Sequence, residues 1–332
     1  MLQVAITHHA LHTLMNLRHL LVAALLGAGF TASALAAAPM VKTQAPGYYR
    51  LMVGDIEVTA LSDGTVALPM SKLLNNSAGV EATEKALARA YLDDPVETSV
   101  NAFLVNTGAK LVLIDAGAGK LFGATLGKLL ASLKASGYQP EQVDEIYITH
   151  LHPDHVGGLA ADSKPVFANA TVRADQREAE LWLSQKNLDA APVDSQGAFQ
   201  GAMASLNPYV KAGRFKTFDG DTRLVQGLRA QASPGHTPGH SFYIIESQGE
   251  KLVLWGDVVH AAAVQFMSPT VTIGFDSDSQ AAAAQRAKAF ADAAAKGYWV
   301  AGSHLAFPGL GKLRAADGGA YLFVPVNYRS AP

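Results

Sequence analysis

Four apolar runs of this chain end on side chains that can ligate a metal, and that recurrence limits the folds open to it. "LVLID" closes on Asp115, "EIYITHLHPDH" on His150, His152, Asp154 and His155, "KLVLWGD" on Asp257, and "YWVAGSH" on His304. Each run has the length and apolar content of a buried strand. Strand ends along one sheet edge converge in space, so these residues meet if the runs share an edge. A carboxylate buried at such an end is costly unless something cationic meets it.

The remaining sequence supplies the rest of the sheets. "YYRLMVGDIEVTALSDG" reads as two strands about a Gly54-Asp55 turn, and "NAFLVNTGAKLVLIDAG" as two more with Gly108 near their turn. Leu74 to Asp94 predicts a loop and a helix, and the leucine spacing of Leu121 to Ser136 predicts another helix. Helices are also expected over Gln176 to Leu188, over Phe199 to Val210 and over Ser279 to Ala295. Three strands separated by Gly-rich turns occupy "LRAQASPGHTPGHSFYIIESQGEKLVLWGDVV", and "YWVAG" and "AYLFVPVNY" close the chain. Two strand-rich halves, each ending in a helix and a strand, predict an α/β fold of four layers, an αββα sandwich. Residues 37–332 are expected to form it as a single domain.

A net charge of -2 with 16% charged residues leaves no basic footprint for nucleic acid. Cysteine is absent, so disulfides and thiolate ligands are excluded. A metal site must use His, Asp and Glu, which favours zinc, with manganese, cobalt or iron as alternatives. From Met15, an alternative start, "MNLRHLLVAALLGAGFTASALAAAPM" has a short basic beginning, an apolar stretch and the cleavage pattern Ala34-Leu35-Ala36. A membrane anchor is the competing reading, but Gly27, Gly29, Thr31 and Ser33 dilute it and Pro39 ends it. Residues 1–36 are therefore expected to be a removed signal peptide, which places the mature protein in the periplasm or outside the cell, free of the membrane. Of 11 histidines, removal discards His8, His9, His12 and His19 and leaves seven.

In an extended segment His150 and His152 point to the same side and can share one ion. Asp154 and His155 lie beyond the bend at Pro153 and can face a second ion beside the first. "SPGHTPGHS" puts His236 in a Gly/Pro-rich turn, and Asp257 is the natural bridge between the ions. Taken singly, His236, Asp257 or His304 would more often be structural; their shared placement at strand ends argues for a common site.

H-x-H-x-D-H followed in order by His236, Asp257 and His304 resembles the metallo-β-lactamase superfamily of hydrolases, over about residues 40–330. Within it, "APGYYRLMVGDIEVTALSDGTVALP", "GHTPGH" and "FVPVNY" are similar to the methyl parathion hydrolase branch and its exported lactonase relatives. The resemblance implies a first ion on His150, His152 and His236, a second on Asp154, His155 and His304, and Asp257 bridging. It implies a hydroxide shared by the ions as nucleophile, with Asp154 and Asp257 as candidates to shuttle its proton. Asp115 should orient a ligand histidine, and His240 either supports the site from behind or is an ordinary turn residue. A homodimer is implied as well.

Phe122, Trp182 and Phe199 match the branch's aromatic pocket, against the plainer alternative of core packing. Leu68, Met70, Leu73, His260, Ile273 and Phe275 are further pocket candidates. Leu73 stands where that branch carries an arginine, and His260, Ile273 and Phe275 would tighten the pocket. A planar lactone or aryl ester needs less room than a tetrahedral phosphotriester. Dihydrocoumarin-like lactones are therefore the expected substrates, with phosphotriester hydrolysis the alternative main activity. A non-catalytic zinc-binding protein is the reading from another class.

Overall fold

Each of two seven-stranded sheets is built from one contiguous half of the chain in the computed structural model, which describes residues 38–330. The expected signal peptide lies outside the described residues. From Ala45 onward the chain forms one compact unit. The first sheet runs Tyr48–Val53, Ile56–Leu68, Val96–Asn106, Leu111–Ile114, Glu145–Tyr147, Thr171–Asp175 and Phe215–Phe218, in that spatial order. The second runs Thr222–Val225, Leu228–Ala232, Ser241–Ser247, Glu250–Leu254, Trp299–Ala301, Leu310–Ala315 and Tyr321–Pro325.

Strand direction decides where the site falls. The first sheet begins as antiparallel hairpins, with Val53 opposite Ile56 across the Gly54-Asp55 turn. Its remaining strands, from Leu111–Ile114 to Phe215–Phe218, pair in parallel. In the second sheet Glu250–Leu254 and Trp299–Ala301 are parallel, joined through the Ser279–Lys296 helix. Parallel strands deliver their carboxyl ends to one edge, which is where α/β sheets place ligands. Asp115, His150, Asp257 and His304 all follow such ends.

Three apolar clusters define the layers. Val58, Phe103, Ile114 and Tyr147 of the first sheet pack on Tyr243, Ile245, Leu252 and Ala301 of the second. Leu113, Ile146 and Ile148 on the first sheet's outer face meet Leu129, Leu133, Phe199 and Leu206 from helices. Phe242, Ile244, Val253 and Trp255 on the second sheet's outer face meet Ala289, Phe290 and Ala293 of the Ser279–Lys296 helix. In Ser241–Ser247 both side-chain sets are buried, as expected of a strand covered on each face. Each large apolar side chain so buried contributes roughly 1.5–3 kcal/mol. The result is the αββα sandwich.

Some elements differ from the sequence expectation for local reasons. Within Leu121 to Ser136 only Leu129–Ala135 is helical, because Gly123 and Gly127 take left-handed backbone conformations with φ of 85° and 80°. The helix expected over Gln176 to Leu188 divides into Gln176–Trp182 and Gln185–Ala190, where Ser184 caps the second piece by accepting from the Asn187 N–H. The helix expected over Phe199 to Val210 is longer, Val193–Lys211.

Candidate metal centre

The H-x-H-x-D-H stretch folds as its punctuation suggests. His152 is extended, with φ -67° and ψ 148°, and Pro153 opens a single helical turn, Pro153–Val156. That turn swings Asp154 and His155 away from His150 and His152. Asp115 caps the preceding strand in a left-handed conformation, φ 60°, unusual for a residue with a side chain. The strain aims its carboxylate at this segment: it accepts from the Thr149 N–H at 2.8 Å and from the Thr149 hydroxyl at 2.9 Å, and it meets His155 Nδ1 at 2.8 Å.

Most histidines here have one ring nitrogen committed, which fixes what the other can do. Nδ1–H of His155 donates to Asp115, that of His236 to Asp276 at 2.9 Å, and that of His304 to the Ser99 carbonyl at 2.9 Å. Carboxylates and carbonyls only accept, so the proton sits on Nδ1 and Nε2 is the nitrogen each ring turns toward the centre, with a lone pair to offer once the ring is neutral. His240 commits both ring nitrogens. Its Nδ1–H donates to the Ser233 carbonyl at 3.2 Å and its Nε2 accepts from the Asp257 main-chain N–H at 3.1 Å. His240 thus carries Asp257 rather than facing the centre. Gly256 permits this approach: its φ is 54°, and a Cβ there would lie 2.6 Å from His240 Nε2.

The free atoms converge in two groups. His150, His152, His236 and Asp257 offer ligand atoms all within 4.8 Å of one another, and so do Asp154, His155 and His304. In the first group His236 Nε2 lies 3.1 Å from His152 Nδ1 and 3.4 Å from Asp257 Oδ2. In the second, Asp154 Oδ2 lies 3.4 Å from both His155 Nε2 and His304 Nε2. Asp257 faces both: its Oδ2 is 3.6 Å from His150 Nε2 and 3.0 Å from His304 Nε2, and its Oδ1 is 3.3 Å from His155 Nε2. Ligands about 2.0–2.1 Å from a tetrahedral zinc stand about 3.3 Å apart, so the spacing fits.

Burial sharpens the fit. His150 Nε2, His155 Nε2 and Asp257 Oδ1 are buried without a hydrogen-bond partner. Orphaned polar atoms of this kind are costly unless something meets them, and three at one point call for a cation. Electrostatics agree. Burial and the neighbouring His236 push His152 down to about 3, so its ring is neutral. Burial also opposes charge on His236, but Asp257 and Asp276 outweigh it and hold that ring up at about 9. The carboxylates demand positive charge and the neutral histidines offer lone pairs. Two divalent ions satisfy both.

Two side chains enter the site that the sequence did not place there. Asp276, in the polar loop "FDSDS", carries no strand-end signal, yet it orients His236. His260, expected in the pocket wall, stands 3.1 Å from Asp257 Oδ2 and forms a third group with Asp257 and His304.

The pocket candidates separate into three settings. Trp182 and Phe199 are both buried, their rings 4.6 Å apart, and the Trp182 ring meets His152 edge-on at 5.1 Å. Phe122 stands 44% exposed on the Gly-rich loop and pairs with neither ring. That loop is held by Asp63, whose buried carboxylate accepts from the Ala118, Gly127 and Leu129 N–H groups. Leu68, Met70, Leu73 and Ile273 join a small apolar cluster with Leu87 and Val96, in which Met70 and Ile273 are wholly buried and present no surface. Phe275 is exposed, 6.2 Å from the His260 ring. A separate cavity of about 440 Å³ behind the Gly-rich loop is lined by Asp63, Lys120, Leu126 and Val166, and by none of the histidines.

Comparison with known proteins agrees with this geometry. The profile of the metallo-beta-lactamase superfamily matches residues 95–304. The crystal structure of hydrolase AbOPH, in the beta lactamase superfamily, superposes with a TM-score of 0.82 at 41% identity, covering 87% of this chain and 100% of AbOPH. AidC, a dizinc quorum-quenching lactonase, gives a TM-score of 0.77 at 27% identity over 86% of this chain and 99% of AidC. An N-acyl homoserine lactonase of Bacillus cereus is 29% identical over 161 residues, 48% of this chain. The match spans 56% of that curated relative's length. The chain belongs to the metallo-beta-lactamase superfamily, and with it to a family of metal-dependent hydrolases. Lactonases are among its relatives.

Proposed function

We propose that this chain is a dinuclear metal-dependent hydrolase of neutral lactones and aryl esters of the dihydrocoumarin kind, exported before it acts. The observation that carries the reading is Asp257, one buried carboxylate facing both groups of ligand atoms, with its own Oδ1 and the Nε2 atoms of His150 and His155 left without a partner. His150, His152 and His236 would hold one ion and Asp154, His155 and His304 the other. Such ions, zinc being favoured by the donor set, would supply an acidified water for attack and an electrophile for the substrate oxygen.

The chain's own groups divide the remaining work. Asp154 has a side chain 20% exposed whereas that of Asp257 is 3% exposed. Asp154 therefore stands between the centre and solvent, suited to pass a proton outward, while Asp257 holds position. Trp182 and Phe199, their rings inclined at 44°, back the His152 side of the site with apolar surface that suits an apolar ring. His260, beside Asp257, and Phe275, 6.2 Å from its ring, would narrow the approach to the centre and disfavour the bulkier phosphotriester. The lactonase relatives support the lactone preference.

The test is kcat/KM for dihydrocoumarin against methyl parathion on metal-loaded protein. The lactone should win. A phosphotriester preference above about tenfold, roughly 1.4 kcal/mol in transition-state binding, defeats the pocket argument. Two bound metals with no turnover of any neutral ester, lactone or phosphotriester would make the chain a metal-binding protein instead.

A further inference from the structure

Glu178 is a wholly buried carboxylate with no role in the reading above. It lies in the first turn of the Gln176–Trp182 helix. Its Oε2 accepts from the Leu151 N–H at 2.9 Å and its Oε1 from the Gly239 N–H at 2.8 Å. Leu151 sits between His150 and His152, and Gly239 sits between His236 and His240. One side chain thus grips both ligand-bearing segments by their main chains. Where the segments leave the sheets they are joined by the Ser241 N–H donating to the Thr149 carbonyl at 2.9 Å. Glu178 adds a tie nearer the point where His152 Nδ1 and His236 Nε2 approach to 3.1 Å.

The fit around this tie is close. A Cβ on Gly239 would come within 2.9 Å of the Glu178 N and the Asp175 Oδ1, so the turn presses directly on the helix start. Asp175 caps that helix by accepting from the Arg177 N–H at 2.8 Å. Trp182 lies one helical turn beyond Glu178 and hence on the same helix face. That face carries both the tie and the ring that meets His152 edge-on. No cation pairs with Glu178 among the described ion pairs. Burying a carboxylate is costly even with a main-chain donor on each oxygen and the Thr237 hydroxyl beside it, and a neutral side chain would serve if packing were the whole need.

We propose that Glu178 is a positioning residue that sets the spacing of His152 and His236, and so tunes the metal affinity of the three-histidine group. The inference rests on the dinuclear reading. Its chemistry is specific to a carboxylate. Gln at this position keeps the shape but turns one acceptor into an NH2 donor facing an N–H, so one of the two bonds is lost whichever way the amide is turned.

The experiment is titration of metal-free protein with Co(II), followed by visible spectrum and by competition with a chelator. In E178Q one of the two ions should bind about 10–100-fold more weakly, as for other groups that orient metal ligands, and its absorption bands should shift. The other ion should bind unchanged. Glu178→Asp, which keeps the charge but withdraws it by one methylene, should weaken the same ion. A merely structural role would lower the melting temperature and leave affinity and spectrum alone, which overturns the proposal. Wild-type protein that takes up no metal instead overturns the dinuclear reading. Should neither variant fold, hydrogen exchange in the native protein decides: slow exchange at the Leu151 and Gly239 amides supports the tie, and rapid exchange overturns it.

Discussion

The floor of this site and its rim are made on different terms. On the floor, His155, His236, His240 and His304 each spend one ring nitrogen on a fixed acceptor, and Asp257 is reached from several sides. Asp257 and His304 stand just beyond strand ends, His240 directly precedes a strand, His236 lies in the turn between two, and His155 sits on the Pro153–Val156 turn. On the rim, Phe122 and Phe275 project from loops into solvent, while Trp182 and Phe199 pack on each other and are buried. A floor of mutually satisfied polar atoms tolerates little change, because removing one group orphans its neighbours. A rim of apolar surface can vary side chain by side chain. On the proposed function, the chemistry is therefore fixed by one region and the choice of substrate by the other.

Breaking the floor at its centre should have the largest effect. Asp257→Ala removes the one carboxylate shared by both groups, so two-metal loading should be lost. The activity supplied by the ions, worth several kcal/mol of transition-state stabilisation, should fall by about a thousandfold or more. Metal analysis and kcat/KM check this together. Two ions retained per chain would sink the bridging assignment.

Metal removal tests the same region without mutation. Ions present at about a hundred times their dissociation constant stabilise a native protein by about 2.7 kcal/mol. Chelation of the wild type should therefore lower the melting temperature clearly, while chelation of Asp257→Ala should change it little. An equal drop in both would place the stabilising ions elsewhere.

A smaller effect is expected one layer out. Asp276→Asn keeps the size of the side chain but loses the carboxylate that His236 Nδ1–H meets at 2.9 Å. Affinity for one ion should weaken by about 10–100-fold. Asp115→Asn should act on the other ion through His155. If both variants weaken the same ion, the division into two groups is wrong.

What the sequence revealed follows the same boundary. The strand ends were legible because apolar runs terminate visibly and because histidines are few after residue 36. Asp154 and His155 could be separated from His150 and His152 because Pro153 cannot continue an extended segment into a sheet interior. Asp276 and Glu178 were not legible. Asp276 lies in a polar loop, and Glu178 looks like any charged residue in the first turn of a helix until the fold shows it buried under two turns. The family resemblance groups Phe122 with Trp182 and Phe199. The left-handed glycines and the three N–H groups held by Asp63 set its loop apart.

Phe122 gives the mildest and most discriminating test of the rim. It is exposed and packs on neither Trp182 nor Phe199, so Phe122→Ala should change stability by no more than about 0.5 kcal/mol. If the loop closes over bound substrate, the lost contact is uniform binding. KM for an aryl lactone should then rise a few-fold with kcat unchanged. An aliphatic lactone of similar size, which presents no flat ring, should show a smaller rise. Trp182→Ala differs in kind, because that side chain is buried and its removal should cost about 3–5 kcal/mol of stability as well. A fall in kcat with constant KM in Phe122→Ala would move the loop from substrate choice to the chemical step, and the separation of rim from floor would fail there.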